Sequence, residues 1–226
     1  MRNYNTDFFY TGLDECIILG AVTTLIDRMQ AETEPELQVC HRYTSSVRPQ
    51  YLLLIRHMDM HKPKVAALRT IRRCISSSKD GFKSAADSNL ISTVTILIQH
   101  KNSTVRALAC ECLANLIIPF SSKQACVAAE GVRALQQCLQ DEDQQIRIFA
   151  SRALMHATVT NDGKQQGLDA DLIADLLNII QRMDEHPSCK ENSLQILANL
   201  ATHPVGKTTL CASMELFQKF SKSTDI

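Results

Sequence analysis

"QQIRIFASRALMHATVTNDGKQQGLDADLI" occupies Gln144–Ile173, and forty-one residues earlier stands "STVRALACECLANLIIPFSSKQACVAAEGV" at Ser103–Val132. Few letters are shared, yet the apolar positions align. Ile146, Phe149, Ala150, Ala153, Leu154 and Ala157 fall at i, i+3, i+4, i+7, i+8 and i+11, which is one face of an α-helix. Val105, Leu108, Ala109, Cys112, Leu113 and Leu116 trace the same face in the earlier copy. A third copy begins 43 residues later at Cys189 and continues through Ser193, Ile196, Leu197 and Leu200. "CLANL" at 112–116 and "ILANL" at 196–200 are almost the same word.

Other features keep this beat. Lys123, Lys164 and Lys207 each stand nine residues before an apolar anchor, Val132, Ile173 and Leu216. Each anchor opens a second helical stretch: "VRALQQCLQ", "IADLLNIIQ" and "LFQKFSK". "ISTVTILIQ" from Ile91 is an earlier copy, and the polar runs "HKNST", "DEDQQ" and "MDEHPS" separate second stretches from third. A unit therefore reads as a short helix, a middle helix, a turn and a longer helix. A period near 40 residues with two or three helices marks HEAT or armadillo arrays, in which stacked units share a core that no single unit can close. The expected fold class is all-α, a right-handed α-solenoid of armadillo/HEAT-type repeats. The expected order is an N-terminal tail (1–13), a degenerate first repeat (14–75), repeats at 76–118, 119–160 and 161–203, and a partial repeat at 204–226.

The first repeat breaks the beat. Val22 and Ile91 stand 69 residues apart, but without the 26 residues of 39–64 the interval is 43. That stretch reads as an insertion within a helix, expected to form a poorly ordered loop. Its Cys40, His41, His57 and His61 are the residues that could suggest zinc. Adjacent Cys40 and His41 fit tetrahedral zinc-finger spacing poorly, so no metal is expected.

Composition narrows the function. Lys+Arg and Asp+Glu both number 24, giving zero formal charge, which argues against a chain built to grip nucleic acid or an acidic membrane. The start, "MRNYNTDFFYTG", lacks the apolar core of a signal peptide, and no apolar run is long enough to span a bilayer. Nine cysteines without a C-x-x-C pair, mostly at apolar helical positions such as Cys112, Cys126 and Cys138, read as reduced core thiols in the cytoplasm.

Catalytic signatures are weak. "HPVGKTT" at 203–209 resembles a phosphate-binding loop, but Ala201 stands where that motif needs glycine, and a helix precedes it instead of a strand. His100, His156 and His203 are scattered, with no nucleophile at a recognisable spacing. Asp169, Asp171 and Asp175 lie early in a helix, where carboxylates favour the positive end, and read as a solvated helix start. Arg106, Arg147 and Lys190 mark a basic position early in each third helix and read as partners of turn acids such as Asp141, Glu142 and Asp143. No catalytic residue, cofactor or small-molecule substrate is expected.

The third helices resemble the armadillo family, in which an apolar residue is followed by a small one four later, Leu eight later and often Asn ten later. Val105, Ala109, Leu113 and Asn115 fit this pattern, as do Ile146, Ala150, Leu154 and His156, and Cys189, Ser193, Leu197 and Asn199. The resemblance implies that Asn115, His156 and Asn199 face a concave groove that holds a partner. Peptide-carrying importins of the family place Trp four residues before that Asn, where this chain has Glu111, Arg152 and Gln195 and contains no Trp at all. That departure argues against a nuclear import receptor and makes the second column a further set of groove candidates.

A narrower resemblance rests on "VRALACECLANLIIPFSSK", "IRIFASRALMHATVTNDGKQQGLDADLIADLL" and "ILANLATHPVGKTTL". These are similar to the armadillo-repeat radial spoke head proteins of motile cilia, well over 65–211 and weakly over 14–38. Members of that family are longer at the N-terminus, which implies a shortened form here. The resemblance implies a non-enzymatic structural subunit of the axonemal radial spoke, located in the cytoplasm, cytoskeleton and cilium. Its partners would be other spoke proteins rather than nucleic acid or membrane. A general cytosolic scaffold or adaptor binding an extended peptide is the alternative.

Overall fold

The computed structural model describes residues 90–223 together with 64, 65, 67–69, 71 and 72, with side chains described as far as Ser213. The tail, the 16–30 helix and the insertion with its zinc alternative lie outside the described residues. Lys64, the insertion's last position, is helical and buried.

Every regular element among the described residues is helical: α1 (Leu90–Leu97), α2 (Ser103–Leu116), α3 (Phe120–Ala128), α4 (Gly131–Cys138), α5 (Gln144–Ala157), α6 (Asn161–Asp169), α7 (Leu172–Gln181), α8 (Pro187–Ala201) and α9 (Pro204–Ser223). None of these helices is long and apolar enough to cross a membrane. The chain forms two compact units, Met1–Cys112 and Leu113–Ile226, with the division inside α2.

In the first unit, Leu68, Ile91, Val94, Leu97, Val105, Ala109 and Cys112 are buried. The Cys112 thiol donates to the Leu68 carbonyl over 3.4 Å. Burial pushes this thiol up to about 12, with the Glu111 carboxylate adding to the effect.

The second unit shows the repeat most plainly. α3, α4 and α5 form one triplet and α6, α7 and α8 the next, with α5 packed along α8 and α6 against α3 and α4. The predicted inward faces are buried: Ile146, Ala150, Ala153, Leu154 and Ala157 on α5, and Cys189, Ser193, Ile196, Leu197 and Leu200 on α8. Phe149 departs from the expectation. It is half-buried, and the Arg152 guanidinium lies over its ring at 5.3 Å.

Helix starts repeat as faithfully as cores do. Asn102 Oδ1 accepts from the Val105 N–H at 3.2 Å, Asp143 Oδ1 from Gln145 at 2.9 Å, and His186 Nδ1 from Ser188 at 3.2 Å. These caps stand 41 and 43 residues apart, and the Asn102 and Asp143 caps each stabilise their helix by roughly 1 kcal/mol. Short and middle helices are separated by a left-handed residue, Glu130 at φ 56° and Asp171 at φ 55°.

The last helix corrects the sequence reading. A second stretch was expected to open at Leu216, but α9 runs unbroken from Pro204 to Ser223. The position matching Glu130 and Asp171 is Met214. Asp tolerates the left-handed region better than long apolar side chains do, and no glycine follows Met214 as Gly131 follows Glu130.

Candidate functional site

The candidate columns lie on the third helices, and most of their polar atoms already have partners. Asn115 Oδ1 accepts from Arg152 Nη2 at 3.0 Å. Asn199 Nδ2 donates to the Met155 carbonyl and to Thr158 Oγ1, both at 3.1 Å, while its Oδ1 accepts from Gln195 at 3.4 Å. Asn199 is thus a tie between α5 and α8, and only part of its side chain faces outward. Glu111, in the first unit, pairs with Arg72 at 3.1 Å. Gln195 is exposed, whereas Asn115, Arg152, His156 and Asn199 are half-buried.

Arg152, His156 and Lys123 form the electrostatic centre of this face. The His156 imidazole is held below its ordinary value of 6.5, first by desolvation and then by the positive charges of Lys123 and Arg152. No carboxylate among the described residues pairs with Arg152 or Lys123. Arg152 Nε is enclosed and has no acceptor among the described residues. An isolated donor of this kind is costly unless a ligand or water completes it.

The basic column behaves differently from its sequence reading. Arg147 Nη1 donates to the carbonyl oxygens of Asp141 and Glu142 at 2.8 and 3.0 Å, not to their carboxylates. Arg106 repeats this with the His100 and Lys101 carbonyls, each at 3.0 Å. A guanidinium suits this fork, because the two N–H groups of one terminal nitrogen reach two acceptors at once. Arg147 also pairs with the deeply buried Glu185, at 2.8 Å from Nε. The Lys190 side chain forms no hydrogen bond or ion pair among the described residues.

Two further readings acquire structural explanations. Asp175 is not a solvated helix start: it accepts from Gln136 Nε2 at 2.6 Å and Gln140 Nε2 at 3.1 Å, joining α4 to α7. The "HPVGKTT" glycine is a packing residue. A Cβ on Gly206 would collide with the Leu200 carbonyl, as one on Gly163 would with the Ala157 carbonyl 43 residues earlier. The Lys207 amide bonds to the His203 carbonyl at 2.9 Å, matching Lys164 to Thr160 at 3.0 Å and Lys123 to Pro119 at 3.1 Å. Among the described residues no group of three or more His, Cys, Asp or Glu is placed to hold a metal ion.

The family model described as IPO5-like, TPR repeats, matches residues 87–206, just over half of the chain. The chain belongs to that family. Membership describes the repeat architecture, and a fold of this kind hosts many functions. The comparison with curated proteins returned no match.

Solved structures agree on the fold. An engineered protein from a structural genomics consortium superposes with a TM-score of 0.70 at 21% identity, over 92% of this chain and 55% of its own. The chain therefore spans about half the length of that engineered protein. A designed armadillo repeat protein matches with a TM-score of 0.66 at 15% identity, covering 76% of this chain and 73% of the designed one. Another, solved in complex with the peptide (KR)4, gives 0.65 at 14% identity, over 81% and 75% of the two chains. The fold is an all-α solenoid of armadillo-type repeats.

Proposed function

We propose that the chain is a non-catalytic scaffold that holds an extended segment of a protein partner along its third helices, as a structural subunit of the axonemal radial spoke. The observation that carries the scaffold reading is the adjacency of α5 and α8. It sets Arg152, His156, Gln195 and Asn199 on consecutive third helices with unused hydrogen-bonding capacity. The peptide-bound designed armadillo protein supports the same use of the fold. Placement in the spoke rests on the sequence resemblance centred on "RALMHATVTNDGKQQGLDADLI" at 152–173. On this reading the partners are other spoke subunits, the location is the ciliary axoneme, and nucleic acid, membrane and small-molecule substrates have no part.

Fractionation of motile cilia tests the placement, with an antibody raised to residues 39–64. Retention in the salt-resistant axoneme together with spoke proteins is the expected result. Recovery in the soluble cytoplasm alone would favour the second reading, a general cytosolic scaffold or adaptor binding an extended peptide.

A further inference from the structure

Where this fold brings an arginine near other groups, the positive charge is generally met by an acid or a carbonyl. Arg72 meets Glu111, Arg147 and Arg182 share Glu185, and Arg106 meets two carbonyl oxygens. The surface around Arg152 breaks this habit. Its side-chain partner is a neutral amide, Asn115, and its cationic face rests on Phe149. α3, which carries Lys123, packs against α5, which carries Arg152 and His156, and both charges act on His156. One turn before Lys123 on the same face of α3 stands Phe120, 62% exposed. Asn115, Phe120, Lys123, Phe149, Arg152 and His156 all belong to the second unit.

We propose that the surface formed by Lys123, Arg152 and His156 and flanked by Phe120 docks an acidic, extended segment of a partner protein. An Asp or Glu of that segment enters among the three basic side chains, and an apolar neighbour of that acid covers Phe120. The proposal rests on the scaffold reading and adds the chemistry of the partner. Charge complementarity argues for it: two cations that no carboxylate among the described residues pairs with attract a carboxylate and repel a basic segment. The guanidinium is also pre-oriented. The Phe149 ring beneath it and the bond to Asn115 hold it in place, so less rotamer freedom remains to be lost on binding.

The test is fluorescence anisotropy on the full chain with three labelled peptides of equal length. One is rich in Asp and Glu around a central Leu, the second carries Asn and Gln in place of every acid, and the third is (KR)4. The acidic peptide should bind at least about tenfold more tightly than the other two, and added salt should weaken it. Lys123→Ala and Arg152→Gln should each weaken it by about three- to tenfold, with circular dichroism confirming the fold. Lys123→Ala removes no side-chain hydrogen bond or ion pair among the described residues and so keeps the test valid if the Arg152 variant unfolds. Equal or tighter binding of the neutral or basic peptide would overturn the acidic preference while leaving the scaffold reading standing. Acidic binding untouched by Lys123→Ala would overturn the assigned surface. Binding of none of the three would overturn both readings.

Discussion

Arg147 reaches Glu185 with two parallel bonds, Nε to Oε2 at 2.8 Å and Nη2 to Oε1 at 3.2 Å, and so joins a helix of one repeat to the turn of the next. The Glu185 side chain is only 1% exposed. Arg182 approaches from 3.7 Å, and the His186 amide donates to the same carboxylate at 3.0 Å. Arg147→Ala strands this carboxylate and should destabilise the chain by about 3 kcal/mol. The paired replacement Arg147→Met with Glu185→Leu should cost less than either single change. Urea melts of the three variants decide this, and equal losses in all three would contradict the coupling.

Leu154 is fully buried on α5. Leu154→Ala should lower stability by roughly 2–5 kcal/mol. A short stack has few interfaces over which to spread such a loss, so the urea midpoint should move visibly.

Glycine-to-alanine changes within helices ordinarily stabilise by up to about 1 kcal/mol. At Gly163 and Gly206 the sign should reverse, because the added methyl meets the Ala157 or Leu200 carbonyl. Each change should cost about 1–3 kcal/mol, the usual range for overpacking. A rise in melting temperature for either variant would refute the close approach.

His156 should titrate below 6.5 in a proton-detected NMR experiment. Lys123→Ala or Arg152→Gln should each move it upward by removing a repelling charge. A pKa lower in the folded than in the unfolded chain means that the unfolded chain binds the extra proton first. The associated stability is therefore complete above the ordinary imidazole value and is lost as pH falls through the folded value. Replacing His156 with Gln should flatten that acid limb of the stability curve.

Burial pushes the Cys112 and Cys126 thiols up to about 12, whereas Cys211 is exposed. The thiolate is the reactive form. Iodoacetamide labelling read out by peptide mapping should mark Cys211 well before Cys112 or Cys126.

The beat of the array was legible because stacking demands apolar side chains at fixed intervals, and Ile146, Leu154, Cys189 and Leu200 meet that demand. The role of a polar residue on the same beat was less legible. Asn115, His156 and Asn199 share a column, yet one accepts from an arginine, one faces two cations and one bonds to the preceding repeat. Which of these occurs depends largely on residues of another helix, 37 positions away for Asn115 and 44 for Asn199, and not on local spacing alone. Phe149 likewise fits an inward pattern but sits under Arg152, because the helical stripe is wider than the buried seam. The unbroken α9 depended on a single backbone conformation that Met214 does not favour. Asp171 does adopt that conformation, but the sequence reading assigned it a helix-end charge and missed its turn.

The hydrogen bonds that tie one repeat of the second unit to its neighbour bridge similar lengths of chain, from 34 residues for Gln136 to Ala170 up to 44 for Asn199 to Met155. The entropy lost in closing a loop grows only with the logarithm of its length, so each of these ties begins from nearly the same penalty. No distant end of the chain has to be found before neighbours lock. Growth by further repeats would multiply such closures without lengthening any of them, and the search time for each joint would stay that of a chain a few tens of residues long.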